Sequence, residues 1–502
     1  MMKKIWSIFL LWCVVLAAFA QSQFGEHPRL VVGIVVDQMR WDYLSRYYDR
    51  FSADGFRRLI GQGFSCDNCQ INYVPTVTAI GHASVYTGTT PAFHGICGNN
   101  FYIDGRKAYC CDDSTVQSVG SHSRKGRMSP RNMLSTTIGD QLRLHTDFRS
   151  KVVGVSYKDR AAILPAGHSA TAAYWLDLKN SCFITSTYYM DELPQWVKDF
   201  NKELQTNKAV TQLGEDIGLS PLCGTVTTDM AIAALRNERL GLGEVTDMLC
   251  VSYSQTDVIG HKYSTRGTHT DDAYLQLDLD LGRLLKALDD QVGEGNYLLF
   301  LTADHGAAHN WRYMQEHRLP AGPWKSGEMK ERVYEALEND MGDGRGCIAD
   351  VLDYRIYLDW DSIRQRGLIT ANMEQKVLDV VKHEPDVCFA AIYSQLATSS
   401  LPPVLRDRAL MGYYPGRSGD LLFFPKAGYY EYGRWSSPTG TTHGEWNPYD
   451  AHIPCLFYGW RVPHGATSRE VHITDIAPTV CQLLHIQMPN ACTGEPVVEV
   501  CR

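Results

Sequence analysis

The sequence predicts an α/β fold, in which a mostly parallel central sheet is covered by helices on both faces. Two patterns support this prediction. Apolar runs at residues 30–36, 152–155, 248–251 and 297–301 are continuous, as is typical of strands buried on both faces. Between the last two runs lies a helical pattern at residues 271–290, whose single apolar stripe consists of Leu277, Leu281, Leu284, Leu285 and Leu288. Strands and helices that alternate in this way favour a parallel sheet.

Each of the four predicted strands is followed within a few residues by side chains that can do chemistry. In chain order, these are Asp37, then Lys158 and Arg160, then Asp257, and finally Asp304 and His305. Ligands of open α/β sheets bind beyond the carboxyl ends of the strands. We therefore expect these side chains to lie together at one edge of the sheet.

Residues from about 310 to 435 differ in composition from the rest of the chain. They contain clusters of glycine, proline, tyrosine and charged residues, and their strand patterns are weaker. We expect this stretch to form an insertion or cap beside the sheet, within one catalytic domain that spans residues 21–502.

Residues 1–20 have the pattern of a secretory signal peptide. Lys3 and Lys4 precede a short apolar run, and Ala18 and Ala20 supply the small residues of a cleavage site. The run is too short and wrongly flanked for a comfortable membrane span, and an uncleaved anchor is the alternative. We therefore expect an exported protein, periplasmic or secreted, with no stable membrane insertion after cleavage.

Composition excludes global disorder and disfavours nucleic acid as a partner. A hydrophobic content of 44% and a charged content of 21% are typical of a globular chain with a core. The net charge of −8 disfavours a protein that binds nucleic acid by neutralising its phosphates. One of the 15 cysteines lies in the signal peptide, which leaves an even number for an oxidising compartment. We expect structural disulfides rather than a metal site at Cys66 and Cys69.

Carboxylates and imidazoles recur where the sheet would bring them together. Asp257 and His261 are four residues apart, so a helical turn would place both on one side. Asp304 and His305 are adjacent, and the glycine that follows them would ease the bend they need to bind one cation. The full set, which suits two zinc ions with nitrogen and oxygen ligands, is Asp37, Asp257, His261, Asp304, His305 and His443.

A hydroxyl nucleophile and two cations complete the pattern. Thr78 precedes a segment that could begin a helix, where the helix N-terminus and a nearby metal would stabilise an alkoxide and then a phosphoryl group. Thr76 is a second candidate, which spacing alone does not exclude. Lys158 and Arg160 are two residues apart, so an extended segment would project both to one side, where they suit a phosphate dianion.

Several segments carry a resemblance to a known family, among them Asp37-Gln-Met-Arg40, Pro75-Thr-Val-Thr-Ala-Ile-Gly-His82, Gly98-Asn-Asn100, Lys158-Asp-Arg-Ala-Ala-Ile-Leu-Pro165 and Asp304-His-Gly306. They resemble the alkaline phosphatase superfamily, and within it the PafA-type bacterial alkaline phosphatases, which use a threonine nucleophile. Matching segments extend from about residue 30 to residue 480. The resemblance therefore covers nearly the whole mature chain.

The resemblance implies a role for each candidate residue. One zinc ion would be held by Asp257, His261 and His443. The other would be held by Asp37, Asp304 and His305, with Thr78 beside it as the nucleophile and a further ligand. The non-bridging oxygens of the phosphoryl group would contact Lys158, Arg160 and Asn99, the last chosen over Asn100 for its position after Gly98.

The implied activity is that of an exported, zinc-dependent alkaline phosphatase that hydrolyses small-molecule phosphate monoesters through a phospho-threonine intermediate. A phosphodiesterase or nucleotide pyrophosphatase on the same metal site is the first alternative. It is disfavoured because such relatives generally lack the paired lysine and arginine. A sulfatase, a metal-dependent phosphoglycerate mutase and a non-catalytic zinc-binding or adhesion protein are weaker alternatives. The sequence indicates neither the physiological ester nor the oligomeric state.

Overall fold

The computed structural model describes residues 26–341, 346–433 and 437–501, so the predicted signal peptide lies outside the described residues. The strands, in chain order, are β1 Leu30–Val36, β2 Phe64–Cys66, β3 Cys69–Gln70, β4 Asn100–Ile103, β5 Arg106–Tyr109, β6 Ser118–Val119, β7 Val152–Ser156, β8 Ala172–Asp177, β9 Cys182–Ser186, β10 Asp247–Tyr253, β11 Tyr297–Thr302, β12 Gly322–Trp324, β13 Ile348–Leu352, β14 Arg355–Leu358, β15 Val387–Ile392, β16 Leu421–Pro425, β17 Tyr429–Glu431, β18 His452–Ile453, β19 Cys455–Gly459, β20 Gly465–Thr467 and β21 Val471–His472.

The α-helices, in chain order, are α1 Asp42–Arg46, α2 Phe56–Gln62, α3 Thr78–Thr87, α4 Pro91–His94, α5 Ile138–His145, α6 Asp159–Ala166, α7 Gln195–Thr206, α8 Lys208–Leu213, α9 Leu222–Asn237, α10 Gln255–Tyr263, α11 Thr268–Val292, α12 Trp311–Glu316, α13 Ser326–Met341, α14 Trp360–Gln365, α15 Thr370–Lys382, α16 Pro403–Met411, α17 Pro448–Ala451 and α18 Ile476–Leu484.

A ten-stranded sheet is the centre of the part of the chain that the structure describes, in the order β20-β2-β19-β11-β1-β10-β7-β8-β9-β6. Five neighbouring strands, from β11 to β8, run parallel, and antiparallel β19 and β9 flank this block. The four predicted strands are β1, β7, β10 and β11, and every residue in them is buried. The predicted mostly parallel sheet is confirmed.

Helices cover the sheet in two groups. In one group α9 packs against α11, and in the other α3 packs against α6. The long helix α11 contains the predicted helical segment 271–290, and all five leucines of its stripe are buried. Because the stripe lies against the sheet, the opposite side of α11 can carry charged residues. The α/β fold predicted from the sequence is therefore confirmed.

The parallel block brings four carboxyl ends to one level. Strand β1 lies between β10 and β11, and Val36 is paired with Tyr253 while Val35 is paired with Thr302. Strand β7 follows on the other side of β10, with Ser252 opposite Ser156. The loops that leave these four strands therefore start side by side, which places their polar residues at one edge.

A smaller antiparallel sheet, in the order β13-β14-β16-β15, lies within the range 310–435 and has a hydrophobic core of its own. Arg355 of this sheet is almost fully buried and donates from Nη1 to the Cys97 carbonyl at 2.5 Å. The hydroxyl of the neighbouring Tyr354 accepts a hydrogen bond from the Glu431 N–H at 3.1 Å. The bounds of the cap stay a prediction.

Within the described ranges, no single helix has both the length and the hydropathy to cross a membrane. A bent pair, Lys208–Leu219 with Leu222–Asn237, passes the same test by length and composition only.

Every cysteine in the described ranges is a free thiol, so the structural disulfides that the sequence favours are absent from this structure. Most of these thiols are buried in hydrophobic clusters, where cysteine behaves as a small apolar side chain. Cys66 and Cys69 both contact the thiol of Cys455. The thiols of Cys66 and Cys69 thus pack β2 and β3 against β19.

Candidate active site

The predicted site residues meet at the carboxyl ends of β11, β1 and β10. Asp37 directly follows β1, and Asp304 and His305 follow β11. Strand β10 leads into α10, which carries Asp257 and His261. All of these side chains are buried except His261, which is partly buried. The gathering that the sequence predicts is therefore present.

Asp257, His261 and His443 form one group of candidate metal ligands. Asp257 Oδ1 is 3.1 Å from His261 Nε2 and 3.5 Å from His443 Nε2. Asp257 and His261 face the same side of α10 because they are one helical turn apart. His443 comes from the loop that precedes α17, about 180 residues along the chain. The three ligand atoms lie within 4.8 Å of one another, close enough to bind one cation.

His305 is the centre of a second group. Its Nε2 is 3.5 Å from Asp37 Oδ1 and 3.4 Å from Asp304 Oδ2. Asp257 also reaches this group, because Asp37, Asp257 and His305 offer ligand atoms within 4.8 Å of one another. Asp257 therefore lies between two candidate cation positions. The division of the six ligands into two triads stays a prediction.

Each imidazole is oriented by the main chain. The Nδ1 atoms of His261, His305 and His443 lie 2.9, 3.0 and 2.7 Å from the carbonyl oxygens of Thr441, Gly306 and Thr76. A carbonyl only accepts, so each Nδ1 carries the proton and donates it. The three Nε2 atoms face the carboxylates and are the nitrogens left to bind a metal, which each does in its unprotonated form.

The charge of the site suits divalent cations. Asp37 Oδ1 and Asp304 Oδ2 are buried and accept no hydrogen bond within the described residues. Burial and the neighbouring Asp37 raise the pKa of Asp304 well above its usual value. Burial and nearby His443 lower the pKa of His305 well below its usual value, so His305 supplies no positive charge. Orphaned buried carboxylate oxygens of this kind are stabilised by a bound cation.

Lys158 supplies positive charge to these carboxylates. Its Nζ donates to Asp37 Oδ2 and to Asp257 Oδ2, each at 2.6 Å. Burial alone would lower the pKa of Lys158, but Asp257 and Asp37 outweigh burial and raise it. Lys158 therefore carries a full positive charge. It lies where the candidate metal ligands border the pocket that Thr78 also lines.

Thr78 and Thr76 differ in what their hydroxyls face. Thr78 is the first residue of α3, and its Oγ1 is 3.4 Å from His305 Nε2. The Thr76 hydroxyl instead donates to the Glu445 carbonyl at 2.7 Å. Thr78 lines the pocket above the candidate metal ligands, whereas Thr76 does not. The geometry therefore favours Thr78 of the two threonines that the sequence leaves open.

The predicted phosphate contacts line the same pocket, whose volume is about 530 Å³. Asn99 Oδ1 accepts from the Ala79 N–H at 3.0 Å, which leaves the Asn99 amide NH₂ unpaired within the described residues. Lys158 has an extended backbone immediately before α6, and Arg160 lies in the first turn of that helix. Asn100 also lines the pocket. The pocket thus holds a hydroxyl, an amide and two cations.

Three residues near the site were assigned no role from the sequence. Gln38, at φ 63°, donates from its N–H to Asp304 Oδ1 at 3.1 Å and from Nε2 to Asp257 Oδ1 at 2.6 Å. His82 contacts the Thr78 carbonyl through Nδ1 at 3.0 Å, and burial lowers its pKa to about 4. Tyr109 contacts Arg160. The four-residue spacing from Thr78 could have indicated His82, but no spacing indicates Gln38 or Tyr109.

Comparisons with known proteins agree over nearly the whole chain. The family model of the type I phosphodiesterase / nucleotide pyrophosphatase matches residues 31–448. The chain is 41% identical over 541 residues to a Myroides odoratus protein named calcium-transporting ATPase, with 97% of each chain covered. It is 42% identical over 520 residues to alkaline phosphatase PafA of Elizabethkingia meningoseptica, with 94% of each covered. A crystal structure of wild-type alkaline phosphatase PafA superposes with a TM-score of 0.91 at 41% identity, covering 95% of this chain and 100% of that one.

Proposed function

Because the chain belongs to the type I phosphodiesterase and nucleotide pyrophosphatase family of the alkaline phosphatase superfamily, we propose that it hydrolyses phosphate monoesters at this site. The substrates are small molecules that carry a terminal phosphate. The enzyme is exported and uses two zinc ions.

The observation that carries the proposal is the pairing of Lys158 and Arg160 in the pocket that holds Thr78. A monoester presents a dianionic phosphoryl group, whereas a diester presents one negative charge and a second bulky ester group. Two cations beside one nucleophile therefore favour the monoester, because each can interact with a charged non-bridging oxygen. This pairing distinguishes a phosphatase from a phosphodiesterase on the same metal site.

The candidate ligands fit zinc by their chemistry, since three imidazole nitrogens and three carboxylates face one another and two buried carboxylate oxygens are orphaned. One ion would be held by Asp257, His261 and His443, and the other by Asp37, Asp304, His305 and Thr78. When bound, the ions would lower the pKa of the Thr78 hydroxyl and place positive charge beside the leaving oxygen. Metal analysis of the purified chain is expected to give two zinc ions per chain.

The side chains of this protein then perform the transfer in two steps. Thr78 Oγ1 loses its proton and attacks phosphorus while the bond between phosphorus and the alcohol oxygen breaks; in net terms the alcohol leaves with that proton and a phospho-threonine remains. The oxygen of a water molecule then attacks phosphorus, the bond from phosphorus to Thr78 Oγ1 breaks, and one proton of the water returns to Oγ1 as phosphate is released. In both steps the Asn99 NH₂, Lys158 and Arg160 hold the three equatorial oxygens, where charge is concentrated in phosphoryl transfer. The N-terminus of α3, where Thr78 lies, adds further stabilisation of the phosphorylated state.

The test compares p-nitrophenyl phosphate, its methyl diester and ATP as substrates of the zinc-loaded enzyme. ATP is included because one relative is named an ATPase. We expect strong monoester preference, and Arg160→Ala should lower kcat/KM for the monoester by about 100-fold or more while changing the diester by much less. A diester preference that Arg160→Ala leaves intact would place the chain among the phosphodiesterases.

A pair of threonine variants controls for the nucleophile. Thr78→Ala should abolish turnover of every substrate. Thr76→Ala should keep most of the activity, because the Thr76 hydroxyl donates to a main-chain carbonyl away from the pocket. Export is tested separately. The mass of the mature chain is measured and compared with the mass expected after cleavage that follows residue 20.

A further inference from the structure

Tyr109 lies between Arg160 and Asp159, the residue that precedes Arg160 in the sequence. The Tyr109 hydroxyl accepts a hydrogen bond from Arg160 Nη1 at 3.1 Å and donates a short one to Asp159 Oδ1. Asp159 Oδ1 also accepts from the Arg160 N–H at 2.6 Å, but it is 4.0 Å from Nη1. The phenol therefore connects the guanidinium to Asp159 where the two do not make a close ion pair.

This arrangement leaves the Nε–Nη2 edge of the guanidinium without a hydrogen-bond partner within the described residues. Arg160 Nε is buried and has no hydrogen-bond partner, and Nη2 has none within the described residues either. The Nε–H and Nη2–H bonds point in parallel, which is the geometry that binds two oxygens of a phosphoryl group. Because the Tyr109 hydroxyl occupies Nη1, it fixes which edge faces a ligand.

Tyr109 is itself held firmly. It ends the hairpin formed by β4 and β5, and its N–H donates to Asp112 Oδ2 at 3.2 Å. The next N–H along the chain, of Cys110, donates to the Asn99 carbonyl at 3.0 Å. The same hairpin thus fixes Asn99 and Tyr109, and both line the catalytic pocket.

We propose that Tyr109 is a positioning residue for phosphoryl transfer, which holds Arg160 so that its Nε and Nη2 face the non-bridging oxygens of a monoester dianion. This inference rests on the proposed function and deepens it. A neutral phenol fixes the guanidinium at Nη1 without competing for the Nε–Nη2 edge, which would bind phosphate. Burial raises the pKa of Tyr109 well above its usual value, so the hydroxyl keeps the proton that it donates to Asp159.

The test is a double-mutant cycle on the zinc-loaded enzyme, with Tyr109→Phe made in the wild type and in Arg160→Ala. In the wild type, Tyr109→Phe should lower kcat/KM for p-nitrophenyl phosphate by about 10- to 100-fold, the effect of losing one hydrogen bond to a charged group. It should also weaken binding of inorganic phosphate, measured by calorimetry, by about 10-fold or more. In Arg160→Ala, the same change should cost no more than about twofold.

The matched control is Tyr102→Phe, since Tyr102 lies on the same hairpin and stacks on Tyr357, while its hydroxyl makes no hydrogen bond in the part of the chain that is described. Tyr102→Phe should leave activity and phosphate binding unchanged. The inference is overturned if Tyr109→Phe lowers monoester and methyl diester turnover equally, or if its effect persists fully in Arg160→Ala. Absence of monoester turnover in the wild type would instead overturn the proposed function, which keeps the two failures distinct.

Discussion

Gln38 connects the two groups of candidate metal ligands. Its main-chain N–H donates to Asp304, and its side-chain Nε2 donates to Asp257. The residue has φ 63°, a left-handed backbone that non-glycine residues adopt rarely and that turns its N–H toward the site. Because Asp257 faces both candidate cation positions, the hydrogen bond from Gln38 holds a carboxylate on which both groups depend.

We predict that Gln38→Asn weakens zinc binding by about 10- to 100-fold, the usual effect of removing a partner that orients a ligand. Asparagine tolerates the left-handed backbone, but its shorter side chain does not reach Asp257. Zinc affinity is measured by competition with a chelator, alongside Gln395→Asn, which alters an exposed glutamine. An unchanged zinc affinity in Gln38→Asn would contradict the positioning role.

At the scale of elements, α3 and the loop after β11 pack with no space between them. A Cβ on Gly81 would lie 2.4 Å from the carbonyl oxygen of Asp304, which is far too close. Helix α3 begins at Thr78, so this contact fixes the distance between Thr78 and His305. Glycine is needed here for close approach of a helix to a loop rather than for backbone conformation.

We predict that Gly81→Ala separates α3 from the Asp304 loop, lowers the free energy of unfolding by about 2 kcal/mol and lowers kcat/KM by about 100-fold. The control is Gly61→Ala in α2, where nothing lies within 4 Å of the new methyl group. That change should raise the free energy of unfolding by up to about 1 kcal/mol without affecting turnover. Equal effects of the two variants, in denaturant titration and kinetics, would refute the packing argument.

At the scale of the whole molecule, folding buries an ionisable group away from the candidate metal ligands. His94 is fully buried, with Nε2 3.1 Å from Ser84 Oγ and Nδ1 accepting from the Ile96 N–H at 3.1 Å. Burial lowers its pKa from 6.5 to about 3. Between these two pH values the unfolded chain binds the proton and the folded chain does not, so stability falls as pH falls.

We predict that this histidine contributes about 2 kcal/mol to the loss of unfolding free energy between about pH 7.5 and about pH 5. In His94→Asn the side chain no longer titrates, so the stability of the variant should fall less over this range. Urea titration at both pH values measures the two slopes. Parallel losses in the wild type and the variant would show that His94 does not carry this pH dependence.

Much of the fold and most of the candidate site could be predicted from the sequence. The four buried strands can be recognised in the sequence, because continuous apolar runs are a local property of the chain. Since the carboxyl ends of parallel neighbours share one edge, residues such as Asp37, Lys158 and Asp304 could be expected to meet there. The sequence also supplied the residue types that zinc and phosphate require.

Other features were decided only by the tertiary structure. Asp257 faces both candidate cation positions, the Thr76 hydroxyl turns to a carbonyl, and the cysteines pack as thiols rather than pairing. Tyr109 meets Arg160 from a hairpin about 50 residues earlier in the chain. Such contacts depend on the register of strands and the packing of helices, in which shifts of about 1 Å decide which atoms touch. Local sequence pattern specifies the elements, whereas the distances between their side chains arise only when the whole core packs.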